Sequence, residues 1–190
     1  MVVKWRRTTK TMNAGKEFEK DFRQSIPKNC YYRRFNDNAL GFNIQASNQR
    51  FTTKSPYDSI IYHYPYFYAL ELKSTQGKSI SFGGNSPMIK EHQIKELVKA
   101  SHFEGVISGF VFNFRGCENR TIFVPVHRFL EIARNNGKKS VNVNEFNNDN
   151  SIEIPNKLLK VHYKYDINTF MEWAETLIVS IKGGCIFCEH

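Results

Sequence analysis

Apolar and aromatic positions fall into short runs whose period changes along the chain, and each change marks an element. Phe18, Phe22 and Ile26 recur at i, i+4 and i+8 among charged residues, which predicts a helix over residues 14–25 capped by Asn13. Pro27 ends it. A first strand is predicted over residues 30–35. Two aromatic and β-branched runs, 57–62 and 67–72, flank His63-Tyr64-Pro65-Tyr66 and predict a hairpin. After a Gly/Ser loop at 79–87, Ile94, Leu97 and Val98 form the inner side of a helix expected over residues 88–103. Residues 105–114 and 121–126 read as two strands around a polar turn, and 127–135 as a short helix. Ile167, Phe170, Met171, Trp173, Leu177, Ile178 and Ile181 lie at helical spacing, so residues 166–182 should dock as a last helix. This order predicts an α/β fold, a mixed central sheet flanked by helices. Two polar stretches interrupt it: 36–55, a loop or projecting hairpin, and the Asn-rich 135–150, a surface loop.

A chain of 190 residues fits a single domain over 1–190, with a basic arm at 1–12, a short stalk or loop at 36–55 and a flexible tail at 183–190. The longest apolar runs are too short to span a bilayer, and residues 1–10 lack the apolar core of a secretory leader, so a cytoplasmic location is expected. The four cysteines then read as reduced thiols. Cys185 and Cys188 form a CxxC beside His190, but a fourth zinc ligand is missing nearby, so an unliganded tail is the reading.

The formal charge is +9, and residues 1–50 carry most of it, with eleven Lys/Arg against four Asp/Glu. Lys4, Arg6, Arg7 and Lys10 surround Trp5, while Arg33, Arg34 and Arg50 lie among Tyr31, Tyr32, Phe35, Phe42 and Phe51. Cations interleaved with flat rings suit a polyanion whose bases can stack, which makes nucleic acid the first partner to consider. An anionic membrane fits less well, because no long amphipathic basic helix is present.

The sharpest chemical feature is Ser55-Pro56-Tyr57-Asp58 followed by Glu71-Leu72-Lys73. On a strand, Glu71 and Lys73 point to one face about 6.6 Å apart and Leu72 points to the other. A hairpin loop of two or four residues sets Asp58 opposite Glu71, with Cβ atoms roughly 5 Å apart. A loop of odd length leaves them only diagonal. Two facing carboxylates beside a lysine are what cation-assisted phosphodiester hydrolysis needs: hard oxygen ligands for Mg²⁺ and a positive group near the developing phosphate charge. The plainer reading is a surface hairpin whose Glu71 and Lys73 are solvated and whose Asp58 closes a turn.

Asp…Glu-x-Lys on a hairpin resembles the signature of PD-(D/E)XK nucleases. The ordered set Gly15-Lys16-Glu17-Phe18-Glu19, Pro56-Tyr57-Asp58, Leu70–Thr75, Ser81-Phe82, His92-Gln93-Ile94 and 136–140 (Asn-Gly-Lys-Lys-Ser) resembles RecU-type Holliday junction resolvases of Gram-positive bacteria and their phages. It covers roughly residues 13–165.

This resemblance implies a restriction-endonuclease-like core and a homodimer that resolves four-way junctions by paired nicks with Mg²⁺ or Mn²⁺. It implies that Asp58 and Glu71 are metal ligands, that Lys73 is the catalytic lysine, and that Glu19 and Gln93 are further members of the site. Arg6, Arg7, Arg33, Arg34, Arg50, Lys54, Lys138 and Lys139 are the expected DNA contacts. RecU proteins carry a basic stalk before the catalytic Asp, whereas residues 36–55 here hold only Arg50 and Lys54 as cations. Pro56 stands where RecU has a threonine, and it matches the broader superfamily. The rival readings are a nuclease of flaps or duplex ends, and a DNA-binding recombination accessory that no longer cleaves.

Overall fold

A computed structural model describes residues 14–35, 55–135 and 137–183. The expected cap Asn13, the basic arm, the stalk at 36–54 and the tail at 184–190 lie outside the described residues. In chain order the elements are α1 (Ala14–Ser25), β1 (Tyr31–Arg34), β2 (Ser59–His63), β3 (Tyr66–Thr75), β4 (Ser79–Ser81), α2 (Glu91–Ser101), β5 (Val106–Phe114) and β6 (Arg120–Pro125). They continue with α3 (Val126–Asn135), β7 (Ser140–Asn142), β8 (Ile152–Glu153), β9 (Asn156–Leu158), β10 (Tyr163–Tyr165) and α4 (Ile167–Gly183).

The central sheet has the order β1-β2-β3-β5-β6-β8. Only β3 and β5 run parallel, and α2 lies in the crossover between them. Alternation along each strand sorts the core into two halves. On one face Tyr68, Leu70, Leu72 and Val111 meet Phe18 and Phe22 of α1 and Phe170, Met171 and Ala174 of α4. On the other, Ala69, Phe110 and Phe112 meet Leu97 of α2 and Phe129 of α3. The result is the expected mixed α/β arrangement, a sheet between helical layers. Gly109 serves a close approach: a Cβ there would lie 2.3 Å from the Val124 carbonyl oxygen on the neighbouring strand. Among the described residues no helix is long and apolar enough to cross a membrane.

Four departures from the sequence reading have local causes. The Gly/Ser loop at 79–87 begins with β4, because Ile80 is buried and pairs with Val141 of β7. The polar stretch 135–150 contains β7 and a 3₁₀ turn at Val143–Glu145, with Val141, Val143 and Phe146 buried between its many asparagines. Helix α2 starts at Glu91 rather than at residue 88, since Met88 N–H donates to Ser81 Oγ and Ile89 N–H to the Ser81 carbonyl, tying both to β4. Trp173 sits in the apolar stripe of α4, yet it is 48% exposed while Phe170, Met171 and Ala174 are buried.

Phe129 packs its ring on Phe82, Phe110 and Phe112 with centroids 5.4, 4.7 and 6.2 Å away. Phe129→Ala should therefore lower unfolding free energy by about 3–5 kcal/mol in a urea titration. Val161→Ala, at an exposed position, should stay within about 0.5 kcal/mol of the parent.

Candidate functional site

The β2–β3 hairpin closes over the two residues Tyr64-Pro65, with Ser59 paired to Leu70 and His63 to Tyr66. This even loop is the one that sets Asp58, one residue before β2, against Glu71. Asp58 is held by two hydrogen bonds, and a ring contact fixes its neighbour Tyr57. The Asp58 carbonyl accepts the Phe35 N–H at 2.8 Å, the rings of Phe35 and Tyr57 meet edge to face at 5.7 Å, and Asp58 Oδ2 accepts the Leu72 N–H at 2.9 Å. The carboxylate is thereby stapled across to the strand that carries Glu71 and Lys73.

Glu71 is a charged residue type in the middle of a central strand, and its side chain is 1% exposed. Its Oε1 accepts two donors, Lys73 Nζ at 2.6 Å and Gln93 Nε2. Its Oε2 is buried and accepts none. Burial pushes the Glu71 carboxyl up to about 8; the negative charge of Asp58 adds to the rise, and Lys73 opposes it. The plainer reading of Glu71 as a solvated surface charge does not hold.

Gln93 has a double role that follows from its place in the first turn of α2. Its Oε1 accepts the Lys90 N–H at 2.9 Å, closing the end of the helix, while its Nε2 reaches Glu71. One side chain thus pins the helix N-terminus over the acid pair. Lys73 is 19% exposed, so its ammonium spans the buried Glu71 oxygen and the solvent side of the site.

Glu19 of α1 is nearby but differently engaged. It pairs with Arg34 of β1. Burial raises its carboxyl above the ordinary value; Arg34 counters this, and the charges of Asp58 and Lys73 also reach it, the first raising and the second lowering. Among the described residues no three His, Cys, Asp or Glu side chains gather around one point as a metal cage. The geometry offers a pair, Asp58 and Glu71, with the free Glu71 Oε2 between them. A hard cation that keeps most of its waters needs no more protein ligands than this. Clefts of about 490 and 630 Å³ exist, but both are lined by other residues, from Phe18, Arg115 and Tyr163 in one case and Lys28, Lys157 and Ile167 in the other.

The expected DNA contacts divide. Arg33 and Arg34 lie on β1, and Lys138 and Lys139 are exposed just before β7, with Lys138 Nζ 3.8 Å from Glu145. Arg6, Arg7, Arg50 and Lys54 lie outside the described residues. The pattern of the sequence gave no sign of a polar network on the opposite face. There the fully buried Asn113 donates to Asn119 Oδ1 and Thr121 Oγ1 at 2.9 Å and accepts from Ser74, which also takes the Arg115 Nε–H. The asparagines and Ser74 that build it come from strand ends and turns, where such residues are ordinary.

No family model matches the chain. The chain is 32% identical over 170 residues to the SPbeta prophage-derived uncharacterized protein YotM of Bacillus subtilis (strain 168), an overlap of 82% of this chain and 84% of that protein. The chain belongs to the same protein family as this prophage-derived relative.

Proposed function

We propose that this chain is a divalent-cation-dependent DNA endonuclease with a restriction-endonuclease-like core, acting as a homodimer on four-way junctions in the manner of RecU resolvases. The observation that carries this reading is the convergence of Asp58, Glu71, Lys73 and Gln93 on one face of the sheet, with the Glu71 Oε2 buried and lacking a donor. An acceptor left unsatisfied beside a second carboxylate is costly unless a proton or a cation comes between them. A purely structural hairpin has no use for it.

Asp58 and Glu71 would hold Mg²⁺ or Mn²⁺, which supplies charge neutralisation at a phosphate and a more acidic water. The remaining roles fall to the chain itself. Gln93 and Lys73 occupy Oε1 and so turn Oε2 toward Asp58. The Leu72 N–H holds one Asp58 oxygen, which orients the other. Lys73, partly open to solvent, offers its ammonium to a non-bridging phosphate oxygen as negative charge builds up there. Basic groups around the site, Arg33 among them, attract the phosphate backbone. Two symmetric nicks need two such sites facing opposed strands, which a twofold dimer provides.

The direct test incubates the purified protein with labelled four-way junction, flap and linear duplex in Mg²⁺ or EDTA. Paired nicks confined to the junction, dependent on Mg²⁺ and reduced to background by Asp58→Asn, are the expected result. Lys73→Ala should lose about 10²–10³-fold in rate. Cutting of flaps or ends in preference to the junction would reassign the substrate. Tight binding with no cutting in any divalent cation would leave a non-cleaving DNA-binding protein.

The raised Glu71 carboxyl predicts a second behaviour. Because the folded chain holds the Glu71 proton up to about pH 8 against an ordinary 4.5, folded protein binds more protons than unfolded protein across that interval. The stability associated with this proton is present in full below about pH 4.5 and is lost as pH rises through about 8. In EDTA, thermal unfolding of the parent should show this decline. Glu71→Gln should flatten it and be the more stable chain at pH 8.5, since an amide can donate to Asp58 at any pH.

A further inference from the structure

Among the described residues, the face of the sheet that carries the acid pair is covered over β3 and β5 and at Ile60 of β2, which is 8% exposed, and less so toward the outer strand. Cross-strand pairing of Tyr31 with Tyr62 and Arg33 with Ile60, and of Tyr62 with Phe67 and Ile60 with Ala69, puts Tyr31, Arg33, Ile60 and Tyr62 on the face of Glu71 and Lys73. Helix α2 packs over β3 and β5. Beyond it, on β1 and β2, Tyr31 remains 56% exposed and Tyr62 43%. The patch continues at the hairpin turn with Tyr64, 80% exposed. The turn before β5 comes close there: a Cβ at Gly105 would lie 3.3 Å from the Pro65 carbonyl oxygen, and this turn carries Phe103, 66% exposed. Two exposed tyrosines side by side on this face, with Tyr64 and Phe103 exposed in the two turns at the same end of the sheet, are more than scattered surface residues account for.

The chemistry of the strip selects among ligands. Arg33 lies between the tyrosines and the acid pair, and β1 carries no acidic residue. Tyr62 is four residues along β2 from Asp58, about 13 Å at strand rise. That is the span of about four stacked nucleotides, and of fewer in a stretched strand. Flat exposed rings with an arginine on a pleated surface match a nucleic-acid strand whose bases are free to leave their partners. Paired bases present only their edges, so a duplex would leave the rings unused.

We infer that the exposed strip formed by Tyr31, Arg33 and Tyr62 is a platform for an unpaired DNA strand, with Tyr31 and Tyr62 stacking on bases and Arg33 taking a phosphate as the strand leads to Asp58 and Glu71. The inference rests on the nuclease reading for its direction, and it adds the substrate class: DNA with an unpaired or easily opened segment beside the scissile phosphate.

The test is a binding measurement in EDTA, independent of cleavage. Fluorescence anisotropy would follow a labelled 20-nucleotide oligothymidine and a blunt duplex of equal length against the full chain, the double variant Tyr31→Ala/Tyr62→Ala, and the double variant Tyr31→Phe/Tyr62→Phe. The alanine pair should weaken single-strand binding about ten-fold or more and duplex binding less than about three-fold, and the phenylalanine pair should bind like the parent. Circular dichroism melting of each variant establishes that it is folded. Equal loss on both DNAs, or no loss on the single strand, would overturn the proposal. A switch to monomer on size exclusion with single-strand affinity intact would also overturn it, and would make the patch an interface between copies of the chain. If the proposal holds while Mg²⁺ brings no cleavage of any DNA, the platform stands and only the nuclease reading fails.

Discussion

The structure turns on a repulsion. Two carboxylates, Asp58 and Glu71, are brought face to face by a hairpin whose two-residue turn permits no other register. One of them is buried in the central strand, where an isolated negative charge is strongly disfavoured. The surroundings answer it with Lys73 and Gln93 on one Glu71 oxygen, the Leu72 N–H on Asp58, and a Glu71 carboxyl that burial and the Asp58 charge push up to about 8. A chain selected for stability alone would place apolar side chains there, as it does at Leu70 and Ala69 immediately before. The acid pair lowers stability there unless a proton or a positive charge neutralises it.

Much of the fold serves to keep that pair in position. The apolar face of β3 presses on α1 and α4 through Tyr68, Leu70 and Leu72, so the strand cannot rotate to release Glu71 toward solvent. On the other face, Leu97 anchors α2 among Phe110, Phe112 and Phe129, which delivers Gln93 to Glu71. Arg34 and Glu19 link β1 to α1 next to the site. Substituting within either core half should thus disturb the site as well as stability, because the same packing supports both.

The sequence carried the main architecture because periodicity is a direct consequence of which side of an element is buried. Phe18 and Phe22 gave α1 to its last residue, and the alternation around Glu71 gave both the hairpin and the ionic face. What escaped was short or coupled to distant partners. Ile80 and Val141 form a two-stranded piece because each covers the other, and neither three-residue segment has a period of its own. The two-residue strand β8 is likewise set by long-range pairing with β6, while β9 and β10 form a hairpin of three-residue strands too short to show a period. In the candidate site, Asp58, Glu71 and Lys73 were legible from spacing, and Gln93 from its resemblance to RecU sequences. Whether Glu71 lies in solvent or in the core depends on α2 and β5 covering it, and no local pattern reports that. The exposure of Tyr31 and Tyr62 was hidden for the same reason: in sequence they look like any aromatic strand residues, and only the sheet order shows that α2 leaves them uncovered.

The most direct measurement is calorimetric titration of Mn²⁺ into the metal-free protein at pH 7, repeated in buffers of different ionisation enthalpy so that proton release is counted. A cation that displaces the Glu71 proton should bind at one site per chain and release up to about one proton, and Asp58→Asn should abolish the binding. Absence of a site, or a site that Asp58→Asn leaves unchanged, would contradict the account.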